Sequence, residues 1–237
     1  MGYYWTYYLL TFFMAYAVRN PWLCGVIVAF YAARNWLPDP VVILRNLSRV
    51  GALKRQAILN PANITVRRDL GMAYLDLRRP RTALKYLDEA RARDPRNPDV
   101  AFLRGSALLR IGSDDEALKA FGVALGIDAE KGEPFSVQSS QAGVDRSFRR
   151  YAEAYLAAAI ALERLGRLPQ AEEALEMSTR SNSSNVEPLV RLARVRRAQG
   201  NAAGAKEALE TARSTFRELP WYSRRGQLGW AVRAHLA

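Results

Sequence analysis

The sequence predicts an all-α protein, a solenoid of helix–turn–helix repeats preceded by hydrophobic membrane-anchor helices. Two observations carry this. First, Ala83, Leu87 and Ala90 recur 34 residues later as Ala117, Phe121 and Ala124. The same step carries Ala171, Leu175 and Ser178 to Ala205, Leu209 and Ala212, and Gly71 to Gly105, Gly166 to Gly200 and Pro61 to Pro95. A fixed period of this length means stacked supersecondary units, because one unit alone cannot bury its apolar face. Second, no charged side chain occurs from Gly2 to Val18, and Trp22–Ala33 is again uncharged.

Residues 1–37 are assigned to the anchor, as one or two short hydrophobic helices. A span needs about 20 apolar residues, within a range of roughly 17–25. The first stretch meets the lower limit. Asn20-Pro21 supplies a cap and a first helical residue for the second, which reaches the limit only if Arg34 snorkels. Trp5, Trp22 and Trp36 suit a headgroup belt. Arg34, Arg45, Arg49, Lys54 and Arg55 follow the apolar stretches, so the positive-inside rule places the repeats on the cytoplasmic side of an inner membrane. Residues 38–63 supply a lead-in helix, stopped at Asn60-Pro61.

Repeats one and two are placed at 64–131, and repeats three and four at 152–219. The first carries Leu70-Gly71-x-x-Tyr74, then Ala83, Leu87, Ala90 and Pro95. These residues at these offsets resemble the tetratricopeptide repeat, whose pattern is Trp-x-x-Leu-Gly-x-x-Tyr, then Ala, a large apolar residue, Ala and Pro. Arg67 stands where the pattern has its leading aromatic, and Ala129 where the second unit would have its closing proline. The resemblance implies two antiparallel helices per unit. Gly71, Tyr74, Ala83, Gly105, Ala117, Phe121, Ala171 and Ala205 would hold the helices together. Gly112 to Gly166 spans one period plus 20 residues, so 132–151 reads as an inserted loop. Pro220 opens a last segment, 220–237, read as a capping helix that covers the open end of the core.

The net charge is +12, with the surplus at both ends and mildly acidic stretches at 98–131 and 152–185. The resemblance implies that the first helix of each unit lines a concave groove. There the fourth repeat would present Arg191, Arg194 and Arg197, joined by Arg224 and Arg225 from the cap and by Arg68 at the other end. Such a cluster would hold an acidic peptide or a terminal carboxylate by charge-assisted hydrogen bonds.

Catalytic chemistry has little to stand on. His235 is the sole histidine and Cys24 the sole cysteine, so neither a nucleophile–base pair nor a metal-ligand pattern can be assembled. No glycine-rich phosphate loop is present. The expectation is therefore no enzyme, no cofactor, no metal and no small-molecule substrate. The function expected is a membrane-tethered adaptor or scaffold that binds a protein or peptide partner through the groove. Its architecture resembles bacterial membrane-bound tetratricopeptide proteins that assist envelope assembly, and the lipid bilayer would be a further partner. A periplasmic chaperone of the same repeat type is the alternative. An RNA-binding helical repeat is weaker still, because the positive charge is split between the ends and no aromatic–basic stripe follows the groove. Self-association through the groove or the cap tryptophans stays open.

Overall fold

The computed structural model describes residues 40–127 and 150–236, together with Thr11, Asn20, Trp22 and Gly25. Contacts divide the chain into two compact units, Met1–Arg49 and Val50–Ala237. In the first, Trp22 is exposed and α1 (Pro40–Leu59) begins; α1 continues into the second, where Val50 and Leu53 are buried. The second unit holds α2 (Ile64–Asp76), α3 (Pro80–Arg91), α4 (Pro98–Ile111), α5 (Asp114–Ala124) and α6 (Tyr151–Arg164). It continues with α7 (Leu168–Ser181), α8 (Val186–Ala198), α9 (Ala202–Glu218) and α10 (Trp221–Leu236). The described residues thus form an all-helical, tetratricopeptide-like solenoid. Each even-numbered helix from α2 to α8 pairs with the next to make one unit, and the second helix of each unit packs on the first of the unit that follows.

Local chemistry sets the helix starts. Asn63 and Asn97, one period apart, cap α2 and α4; their side-chain oxygens accept from the Val66 and Val100 amides at 3.2 Å. Asn185 and Asn201 do the same for α8 and α9, at 3.1 and 2.8 Å. The turn inside each unit needs one left-handed residue. Gly112, Gly166 and Gly200 supply it with φ of 94°, 73° and 85°, and Arg78 with φ of 55°. The next amide then reaches back five residues: Arg79 to the Tyr74 carbonyl at 2.8 Å, Ser113 to Leu108 at 3.1 Å, Arg167 to Leu162 and Asn201 to Arg196 at 2.9 Å. This closure satisfies carbonyls that the helix end leaves without a partner.

Close approach sets the pairing within units. A Cβ on Gly71 would lie 2.5 Å from Leu87 Cγ, and one on Gly105 would lie 2.6 Å from Phe121 Cε1. Ala83, Ala117, Ala171 and Ala205 are buried with them, and Tyr74 stacks on Tyr86 at 5.5 Å. Arg67, standing in for the aromatic of the repeat pattern, is also buried. Its stem packs in the core and its Nε donates to Glu89 at 3.0 Å.

Arginines tie one unit to the next. Arg110, in the last turn of α4, donates to the Leu75 carbonyl at the end of α2; Arg164, in the last turn of α6, donates to the Leu109 carbonyl of α4 at 3.0 Å. Leu75 and Leu109 are one period apart, so the same contact is made twice. The second instance joins units on either side of the expected 132–151 insertion, and α5 packs directly on α6 there. Of the insertion itself only Arg150 and Tyr151 are described. Arg150 precedes α6 and lies over the Phe102 ring at 5.5 Å.

One expectation is corrected. The sequence placed the protein at an inner membrane with its repeats facing the cytoplasm. Among the described residues, no helix is long and apolar enough to cross a membrane. The 20-residue helix α1 has the length, but it carries Arg45, Arg49, Lys54 and Arg55. A basic residue near the centre of a span costs about 2.5–3.5 kcal/mol. The apolar stretches at 1–37, with Trp5, Arg34 and Trp36, lie outside the described residues.

Candidate functional site

The last unit and the terminal helix enclose a cleft of about 520 Å³ between α8, α9 and α10. Val190, Ala193, Leu209 and Leu236 give it an apolar lining, and Trp230 forms one wall. Arg191, Arg194, Arg197 and Arg233 surround this lining. Positions 191, 194 and 197 fall on adjacent turns of α8, which brings three guanidinium groups to one opening.

Two carboxylates organise the arginines. Arg191 donates through Nε to Glu187 at 2.8 Å and through Nη1 approaches Glu163 Oε2 at 3.5 Å. Arg194 donates to the same Glu163 oxygen. The Glu163 side chain, on α6 in the preceding unit, is only 10% exposed, and its Oε1 is buried without a hydrogen-bond partner. Through these two ion pairs Glu163 pins Arg191 and Arg194 to the groove side of α8. Two guanidinium groups lie over the Trp230 ring, Arg191 at 5.1 Å and Arg233 at 4.4 Å from its centroid. Both distances suit cation–π attraction. Four arginines thus stand at the cleft, with Glu163 and Glu187 beside Arg191 and Arg194.

The neighbouring Arg196 faces the other way. Its Nε and Nη2 donate to Glu172 and Glu176 on α7 at 2.7 and 2.8 Å. Its pKa is raised: the hydrogen bond to Glu172 is the largest cause, burial opposes it next, and the charges of Glu172 and then Glu176 add to the rise. It joins helices and does not line the cleft.

The six arginines singled out from sequence part company here. Arg191, Arg194 and Arg197 line the cleft. Arg224 instead closes the end of α9, donating to the Leu219 and Arg217 carbonyls at 2.7 and 2.6 Å. Arg225 is exposed on α10 outside the cleft. Arg68 lies on α2, paired with Asp69 at 3.0 Å and Asp99 at 3.6 Å. Sequence reasoning missed Glu163 and Arg233, and named Trp230 only as one of the cap tryptophans. The three-residue step from Trp230 to Arg233 was the one local signal that joins those two. Among the described residues, no group of three or more His, Cys, Asp or Glu could hold a metal ion.

This fold defines a class by architecture: a helical-repeat solenoid of stacked two-helix units, here with a basic, apolar-lined cleft beside α10. The comparisons agree on the fold. Residues 68–131 match the tetratricopeptide repeat family. None of the curated proteins matches the sequence. A crystal structure of MamA is similar with a TM-score of 0.59 at 18% identity, covering 71% of this chain and 87% of that one. MamA from Desulfovibrio magneticus RS-1 gives 0.58 at 16% identity, covering 74% and 92%. The Cut9–Hcn1 hetero-tetramer of APC/C gives 0.60 at 16% identity, covering 80% of this chain and 33% of that one. At such identities the likeness is one of fold alone.

Proposed function

We propose that this protein is an adaptor that binds an acidic segment of a partner protein in the cleft between α8 and α10. The observation that carries this is the convergence of four arginines on an apolar-lined cavity of about 520 Å³. The apolar lining suits one large side chain of the partner, and the arginines suit carboxylates on either side of it. Glu163 holds two of the arginines in place before the partner arrives, which lowers the ordering cost of binding. The same arrangement favours fast, salt-sensitive association.

The test is affinity capture from the protein's own cells, with the full chain as bait beside an Arg194→Ala/Arg197→Ala/Arg233→Ala variant. All three positions are exposed and Arg191 remains to pair Glu163, so the variant is expected to fold. Proteins held by the wild type and lost by the variant, with retention falling as salt rises, would support the reading. Identical capture by both baits would overturn it.

A further inference from the structure

The terminal helix has a second face that the cleft does not use. Trp230, Ala231 and Ala234 turn inward, where Ala231 and Ala234 are buried. Arg213 of α9 clamps this face by donating twice to the Ala234 carbonyl, at 2.9 and 2.7 Å. On the opposite side Trp221 is 75% exposed, Leu228 56% and Val232 49%. Helical spacing of i, i+4, i+7 and i+11 puts Trp221, Arg225, Leu228 and Val232 in one line. Of the nine exposed large apolar side chains among the described residues, five lie on α10. A helix packed on one side of a fold ordinarily turns a polar face to solvent on the other. The helix α10 turns an apolar stripe there instead.

Charge identifies the occupant. The helix WYSRRGQLGWAVRAHL contains no Asp or Glu. Arg225 interrupts the stripe, and Arg224 and His235 flank it on the helical projection. Two copies meeting through this face would set arginine against arginine, which is unfavourable. A partner helix with an apolar stripe and acidic residues beside it would cover Trp221, Leu228 and Val232 and pair with Arg225.

We infer that the outer face of α10 is a docking surface for an acidic amphipathic helix of another protein, separate from the cleft. The test selects a displayed library of helix-forming peptides on the full-length wild type and, in parallel, on Arg225→Glu. The wild type is expected to enrich peptides with apolar residues at helical spacing and carboxylates beside them. Leu228→Glu or Val232→Glu should weaken these about thirtyfold or more, the effect of losing a buried interface anchor. Arg194→Ala/Arg197→Ala should leave them bound, which separates this surface from the cleft. Arg225→Glu should enrich basic peptides instead. No enrichment, enrichment indifferent to Arg225→Glu, or binding unchanged by Leu228→Glu would each overturn the inference. So would a wild-type dimer that Leu228→Glu dissolves.

Discussion

Replacing Arg78 by glycine should stabilise this protein, although it removes a side chain and adds no contact. Arg78 sits at the turn between α2 and α3 with φ of 55°, where the other three units have Gly112, Gly166 and Gly200. In that region the Cβ of an ordinary residue crowds the following carbonyl, at about 1–2 kcal/mol. Glycine escapes this crowding but loses about 0.5–1 kcal/mol more backbone entropy on folding. The difference leaves a gain of about 0.5–1 kcal/mol. The side chain is exposed, so little packing is given up. The turn's own bond, from the Arg79 amide to the Tyr74 carbonyl at 2.8 Å, is kept. For a chain of this size the gain is a rise in Tm of about 1–4 °C. The assay is thermal melting followed by circular dichroism, with Arg78→Ala as control. Alanine retains the Cβ and should bring no comparable gain. If glycine lowers Tm, or raises it no more than alanine does, the strain argument is refuted.

Three further outcomes are expected. Gly105→Ala should destabilise by about 1–3 kcal/mol in chemical denaturation, because its new methyl would lie 2.6 Å from the Phe121 ring. Gly226→Ala and Gly229→Ala should each stabilise α10 by about 0.5–1 kcal/mol, because a Cβ at either meets nothing within 4 Å; slower amide exchange over 221–236 would report it. The Tyr86 phenol should titrate above its ordinary value of 10.0, raised first by burial and then by the neighbouring Tyr74 charge. The sign follows from the phenolate being the disfavoured form in the fold. The contribution is complete below pH 10.0 and is lost as pH climbs through the higher folded value. The phenolate absorbance lost in Tyr86→Phe should therefore belong to the late part of the alkaline titration, and the variant should lose less stability there.

The fold was legible because its determinants are local and repeated. Gly71 facing Leu87 and Gly105 facing Phe121 are contacts within one unit, so the 34-residue step writes them into the sequence twice. The site was legible only in part. Arg191, Arg194 and Arg197 share one helix face, and their spacing announces it. Glu163 lies 31 residues from Arg194, and it reaches α8 only because successive units stack at a particular angle. Arg224 misleads for the opposite reason. Its partners are carbonyls five and seven residues back, a helix-end contact that charge spacing does not reveal. The uncharged aromatic stretches near the start invited a membrane reading because composition gives length and polarity without three-dimensional context. Arg67 shows a sequence departure that the fold absorbs: a paired arginine stem fills the place of an aromatic ring.

The central claim is that the cleft between α8 and α10 receives the partner. Amide hydrogen exchange of the full chain, free and bound to a captured partner, tests it most directly. The account predicts added protection concentrated in 186–198 and 221–236, lost again in the Arg194→Ala/Arg197→Ala/Arg233→Ala variant. Protection confined to the earlier units, around Arg68 and α2 to α5, with these two segments unchanged, would contradict it.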